Sequence, residues 1–281
     1  MGGPQVTQIG TISSGSYGNK GVGSARNLPS GRDSAVTWTD SSGSFWLFGG
    51  EGYDSVGSWG DLNDLWKYSN GQWTWVSGSN LSEQVGVYGT IGVSAPANIP
   101  SGRSGAVGWQ DSSGNLWLFG GLSTSAGAAD LLNDLWKYSN GQWTWVSGSN
   151  QPNQQGVFGT QGVPSSANAP GARSDAATWV DSAGNFWLYS GYSATASNHA
   201  NEPDDLWKYS SGQWTWVGGS QGISPGTYGT GGLASPTNIP GSRMRSAAWA
   251  DTSGRLWVFG GEGYGASLPY GYLNDLWMYQ P

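Results

Sequence analysis

Leu65-Trp66-Lys67-Tyr68-Ser69-Asn70-Gly71-Gln72-Trp73-Thr74-Trp75-Val76-Ser77 is two runs of aromatic and β-branched residues joined by Ser-Asn-Gly-Gln. Such runs favour a pleated, half-buried surface, and the joint has short turn chemistry. The stretch reads as an antiparallel hairpin, and it returns along the chain. Residues 66–80 and 136–150 match at all fifteen positions, and sliding the 281-residue sequence against itself gives four copies with a period of 70 or 71. Asp-Leu-Trp recurs at Asp64, Asp134, Asp205 and Asp275, each preceded upstream by one of Arg32, Arg103, Arg173 and Arg243. Eighteen of the nineteen tryptophans occupy repeat positions, which leaves Trp59 outside the pattern.

Each copy carries four strand-like runs, A to D, at 34–40, 45–48, 65–69 and 72–77 in the first. Asp-Ser-Ser-Gly joins A to B as tightly as C is joined to D, so each copy is a four-stranded meander and no helix is expected. A single meander cannot bury both faces. Sheets that stack face to face around an axis can, which is the logic of a β-propeller. The fourth copy ends at Pro281 without a D run, and residues 4–9 precede the same lead-in that D precedes elsewhere. That segment is expected to complete the last blade and close the ring. The expected fold is all-β, one four-bladed β-propeller domain over 1–281, with repeats near 31–80, 102–150, 172–220 and 242–281. A half-ring that dimerises into eight blades is the alternative.

Gly-Arg, then Phe-Trp-Leu-Phe-Gly-Gly, then Asn-Asp-Leu-Trp-Lys-Tyr-Ser, then Trp-Thr-Trp resembles the kelch repeat over nearly the whole chain. The double glycine after strand B stands at Gly49-Gly50, Gly120-Gly121 and Gly260-Gly261, with Ser190-Gly191 departing from it. The long Tyr-Gly-Thr lead-in is similar to kelch-like repeats of secreted bacterial proteins, which implies a secreted or cell-surface location. Kelch-type propellers include galactose oxidase, whose copper site needs two histidines and a Tyr crosslinked to Cys. This chain has one histidine, His199, and no cysteine.

Composition narrows the function classes. Eighteen acidic against eleven basic residues give a net charge of −7, which repels nucleic acid. No apolar run reaches the roughly 20 residues of a membrane helix, so membrane insertion is not expected. Without cysteine there is no disulfide, thiolate nucleophile or Cys-ligated metal.

Residues repeated in every copy serve the shared architecture. The four arginines and Asp64, Asp134, Asp205 and Asp275 are expected to form structural ion pairs, and Tyr17, Tyr88, Phe158 and Tyr228 to pack the D-to-A loops. The B-to-C connections differ in every copy, and variable loops on a rigid scaffold are where recognition is built. They hold Glu51, Asp54, Asp61, Asp130, Glu202, Asp204 and Glu262, so that face is expected to be acidic. Candidate ligand-binding residues are Trp59, Tyr53, Glu51 and Asp54 in the first copy, and Glu262, Tyr264, Tyr270 and Tyr272 in the fourth. Aromatic rings flanked by carboxylates suit sugars, whose C–H faces stack on indole while hydroxyls hydrogen-bond to acids.

The reading favours a non-catalytic recognition module for a glycan or protein partner, monomeric or homodimeric. One alternative is a glycosidase or lyase that uses Glu51 and Glu262 as its catalytic carboxylates; another is a self-associating structural surface protein. No cofactor is expected, calcium being the ion that paired loop carboxylates would admit.

Overall fold

The computed structural model describes residues 14–193, 202–267 and 270–281; the strand expected at 4–9 and His199 lie outside them. Every regular element among the described residues is a β-strand. The first repeat holds β1 (Arg32–Asp33), β2 (Val36–Thr39), β3 (Phe45–Phe48), β4 (Glu51–Tyr53), β5 (Trp59–Asp61), β6 (Leu65–Ser69) and β7 (Gln72–Ser77). The second has β8 (Val107–Gln110), β9 (Leu116–Ser123), β10 (Asp130–Ser139) and β11 (Gln142–Ser147). The third has β12 (Arg173–Ser174), β13 (Ala177–Val180), β14 (Phe186–Tyr189), β15 (Tyr192–Ser193), β16 (Leu206–Ser210) and β17 (Gln213–Gly218). The fourth has β18 (Arg243–Met244), β19 (Ala247–Ala250), β20 (Leu256–Gly263) and β21 (Gly271–Tyr279).

Runs A to D pair as antiparallel four-stranded sheets in the order β2-β3-β6-β7, β8-β9-β10-β11 and β13-β14-β16-β17. In the fourth repeat β20 pairs with β18, β19 and β21. These four-stranded antiparallel sheets fit the blades of a propeller.

The chain divides into two compact units, Met1–Asp130 with Asp134–Asn150, and Leu131–Asn133 with Gln151–Pro281. Strand alternation sorts each sheet into two faces. In the first repeat, cross-strand register places Val36, Trp38, Trp46, Phe48 and Leu65 on one face, and Phe45, Leu47, Trp66, Tyr68 and Trp73 on the other. Inside the first unit the Val36 face packs on the second repeat's sheet, where Phe48 meets Trp143 edge-on at 5.4 Å and Trp46 meets Tyr138 at 6.1 Å. Inside the second unit the same contact recurs, with Ala177, Trp179 and Tyr189 against Leu256 and Val258, and Trp187 against Tyr279 at 5.5 Å.

A buried polar clamp holds the base of each repeat. Arg103 donates from Nη1 and Nη2 to Asp134 at 2.7 and 2.8 Å, and from Nη1 to the Gly120 carbonyl at 2.9 Å. Asp134 also accepts from the Trp136 indole and from the Tyr88 hydroxyl, each at 2.7 Å. Arg32–Asp64, Arg173–Asp205 and Arg243–Asp275 repeat the pair. Phe158 occupies the tyrosine's place in the third repeat and packs on Trp207 at 4.9 Å. The aspartate that opens each A-to-B hairpin has a second repeated role. Asp40, Asp111, Asp181 and Asp251 accept from the indoles of Trp46, Trp117, Trp187 and Trp257 at 2.8 to 2.9 Å.

In the first repeat strand B ends at Phe48, before the double glycine, whose backbone turns left-handed with φ of 64° at Gly49 and 90° at Gly50; β9 and β20 continue through the equivalent glycines. Ser190 adopts φ 57° at the same place in the third repeat. Its hydroxyl compensates for that strain by donating to the Pro203 carbonyl at 2.5 Å and accepting from the Arg243 amide at 2.8 Å.

Candidate functional site

Past the double glycine, the B-to-C connections are β-ribbons rather than open loops in the first, second and fourth repeats, and those of the first and fourth carry the candidate residues. Glu51 and Tyr53 alternate with Gly52 on β4, which pairs with β5 in the register Glu51↔Asp61, Gly52↔Gly60 and Tyr53↔Trp59. On the other edge β1 pairs with β4, so the ribbon grows from the strand that carries Arg32. In the fourth repeat β20 and β21 run on past their main sheet, with Glu262 opposite Tyr272 and Gly263 opposite Gly271.

The two ribbons present the same arrangement. Trp59 stands edge-on to Tyr53 at 4.9 Å and donates its indole N–H to Oε1 of Glu51 at 2.9 Å. Tyr264 stands edge-on to Tyr270 at 5.4 Å, and the Tyr270 hydroxyl donates to Oε2 of Glu262 at 3.4 Å. In each case a ring eight residues after the glutamate closes back on it. Trp59 keeps 50% of its surface exposed, and Tyr272 keeps 88%.

Asp54 is placed differently, because it is buried beneath its ribbon. It accepts from the amides of Val56, Ser58 and Ser82 at 2.8 to 3.1 Å, and so closes the ribbon's turn from inside. Asp61 is buried too. Its Oδ2 accepts from the Thr124 amide and hydroxyl at 2.8 Å, and Thr124 also donates to Glu83. Burial raises the Asp61 pKa, with the Glu83 charge adding to it. Asp204 accepts from the Ser220 amide and hydroxyl at 2.6 Å.

Around Glu262 the second unit assembles charges that the repeat pattern does not announce. Arg245 reaches Glu262 at 3.2 Å and Asp175 at 3.7 Å. Glu202 is buried; desolvation, and then the Glu262 charge, raise its pKa. Burial raises Tyr270 as well, with Glu202 and Glu262 reinforcing the shift. The signal for Trp59 and Tyr270 was present in the sequence as an aromatic eight residues after Gly-Gly-Glu. Arg245 and Asp175 gave none, since their meeting depends on how the third and fourth repeats stack. Among the described residues no group of three or more His, Cys, Asp or Glu side chains is placed to hold a metal ion. No described helix is long and apolar enough to cross a membrane.

No family model matches the chain, and no curated protein matches it. Among solved structures it is similar to YjhT, at 14% identity and a TM-score of 0.49, covering 90% of this chain and 82% of that one. It is also similar to a fungal alcohol oxidase of the AA5 family in complex with copper, at 14% identity and a TM-score of 0.44. That alignment covers 91% of this chain but 54% of the oxidase. At these values what either protein binds or catalyses does not transfer to this chain.

Proposed function

We propose that the chain is a kelch-like β-propeller recognition module, secreted or held at a cell surface, that binds a glycan through its B-to-C ribbons. The four repeats are its blades. The observation that carries the glycan reading is the half-exposed Trp59, held edge-on by Tyr53 and tied by its N–H to Glu51. An indole fixed in this way offers a flat apolar surface to the C–H face of a pyranose, and the free oxygen of Glu51 lies beside it to accept from a hydroxyl. Tyr270, Tyr264 and Glu262 repeat the design with a phenol, and Tyr272 extends its aromatic surface.

Recognition is favoured over cleavage because each glutamate is already engaged by its own ring, and Glu262 by Arg245 as well. A glycosidase would need one acid and one base placed across a single bond. Saturation-transfer NMR against a panel of neutral and acidic oligosaccharides tests the proposal. Transfer concentrated on the C–H protons of one sugar face, and absent in Trp59→Ala, is the expected result. Transfer that is equal in Trp59→Ala would overturn it, and turnover of the bound sugar that disappears in Glu51→Gln or Glu262→Gln would move the reading to catalysis.

A further inference from the structure

Glu202 is the third repeat's counterpart of Asp61, each lying three residues before the clamp aspartate, Asp205 or Asp64. Both side chains are buried, Glu202 keeping 6% exposure and Asp61 2%. Inside the first unit Asp61 is provided for, because the next repeat brings Thr124, whose amide and hydroxyl both donate to its Oδ2. Inside the second unit that provision is missing. Tyr264 stands where the second repeat has Thr124, and Glu262 where it has Leu122. The Tyr264 amide donates to the Ser242 carbonyl instead. Among the described residues Glu202 accepts no hydrogen bond and pairs with no cation; burial, and then the Glu262 charge, act on it, and both raise its pKa.

The surroundings add negative charge and aromatic rings. Arg245 is divided between Glu262 at 3.2 Å and Asp175 at 3.7 Å, so one guanidinium serves two acids. With Glu202, three carboxylates share that cation among the described residues, and the cluster is short of positive charge. Tyr264 and Tyr270 meet edge-on at 5.4 Å, and burial followed by the Glu202 charge raises the pKa of both. The Glu202 carboxylate therefore faces these two phenols and Glu262. Its oxygens are not sealed from solvent, so a small group can reach them. A desolvated carboxylate beside a like charge and without a donor is costly, and a cation that donates hydrogen bonds relieves it. Among the described residues no three acids are placed to close around a metal ion. An ammonium suits the cluster, because it is compact, donates three hydrogen bonds and is attracted to the face of a tyrosine.

We infer that the ribbon of the fourth repeat selects a sugar that carries a free amine, with the ammonium seated between Glu202 and Glu262 beside the rings of Tyr264 and Tyr270. The inference rests on the glycan reading above and names the sugar class for this one ribbon, an amino sugar of the glucosamine type. Tyr272, exposed and opposite Glu262 across the ribbon, takes the C–H face of the pyranose. Arg245 stays on Glu262 and holds its carboxylate in place. Acetylation of the amine removes the charge that the two acids select. The ribbon of the first repeat makes no such selection, since Asp61, the counterpart of Glu202, is already engaged by Thr124.

Titration calorimetry compares the glucosamine trimer, the N-acetylglucosamine trimer and propylamine. High salt in the cell screens the general pull of a −7 net charge on any cation. The wild type is expected to bind the glucosamine trimer about tenfold more tightly than the acetylated one, the scale of one charge-assisted hydrogen bond, and propylamine more weakly than the glucosamine trimer. Glu202→Gln is expected to bind the two trimers alike, with its affinity for the acetylated one unchanged. That variant removes an unpaired buried charge, so its urea midpoint is expected to equal or exceed that of the wild type. Equal binding of the two trimers by the wild type overturns the inference and leaves the glycan reading standing. Silence toward both overturns it too, and the Trp59→Ala comparison on the oligosaccharide panel then decides the glycan reading by itself. Propylamine bound as tightly as the glucosamine trimer, an amine preference that survives in Glu202→Gln, or a urea midpoint that falls in that variant each overturns the inference as well.

Discussion

The indole N–H of Trp59 donates to Oε1 of Glu51 at 2.9 Å across the β4–β5 ribbon, and this bond fixes the orientation of a half-exposed ring. Pre-organised rings bind with less loss of side-chain freedom. Glu51→Gln keeps an acceptor at the same place and is expected to retain most glycan affinity. Glu51→Ala frees the ring and removes the carboxylate, and is expected to weaken binding by roughly tenfold, about 1.4 kcal/mol. Titration calorimetry of the two variants against one sugar checks the difference.

The Asp134 clamp makes a graded prediction about stability. Asp134→Ala leaves the buried Arg103 without its partner and is expected to cost about 3–5 kcal/mol. Tyr88→Phe removes one hydroxyl donor and recreates the arrangement that Phe158 already has in the third repeat, so about 0.5–1.5 kcal/mol is expected. Urea unfolding followed by tryptophan fluorescence separates the two.

Where the sheets of the first unit meet, Gly108 faces Val36 and Trp38; a methyl on Gly108 would stand 2.7 Å from Val36 Cγ1 and from Trp38 Nε1. In the second unit the equivalent residues are Ala177 and Ala248, both in one apolar cluster. The two interfaces thus divide similar volume in different ways. Gly108→Ala is expected to destabilise by about 1–3 kcal/mol, and the double change Val36→Ala with Gly108→Ala to recover most of that loss in a mutant cycle.

Acid stability follows from the aspartates. The Trp257 indole and Arg255 hold Asp251 down to about 2, and the hydrogen bonds from Arg243, Trp277 and Tyr228 outweigh burial to hold Asp275 at about 2. Asp40, Asp111 and Asp181 are also lowered, by hydrogen bonds that outweigh burial. A carboxylate whose folded pKa lies below its unfolded value contributes stability above the unfolded value and loses it as pH falls toward the folded one. Asp61, Asp175 and Glu202, raised by burial, act in the opposite sense just above that window. The urea midpoint is therefore expected to hold down to about pH 4 and to fall between about pH 4 and 2. A midpoint that rises on acidification through that range would contradict the assignment.

Much of the architecture was legible because it is repeated chemistry. Strands B, C and D of the first repeat fall at the residues their composition marks, and the recurrence of Arg32 with Asp64 foretold an ion pair that forms at 2.5 Å. The ribbons were read as loops because Gly-Glu-Gly-Tyr has few β-formers; pairing to the Arg32 strand, a contact distant in sequence, makes it β. Asp54 was grouped with the binding residues because an acid in a variable loop has the same sequence signature whether it faces solvent or closes a turn from inside. The second role of Asp40 was available as an Asp followed six residues later by Trp in all four copies.

The most direct test of the central claim is a glycan-array screen of the wild-type chain beside Trp59→Ala, with folding of both verified by circular dichroism. The account predicts a restricted set of sugars bound by the wild type and lost in the variant. Silence of the wild type across the array, or the same sugars bound equally by Trp59→Ala, would contradict it.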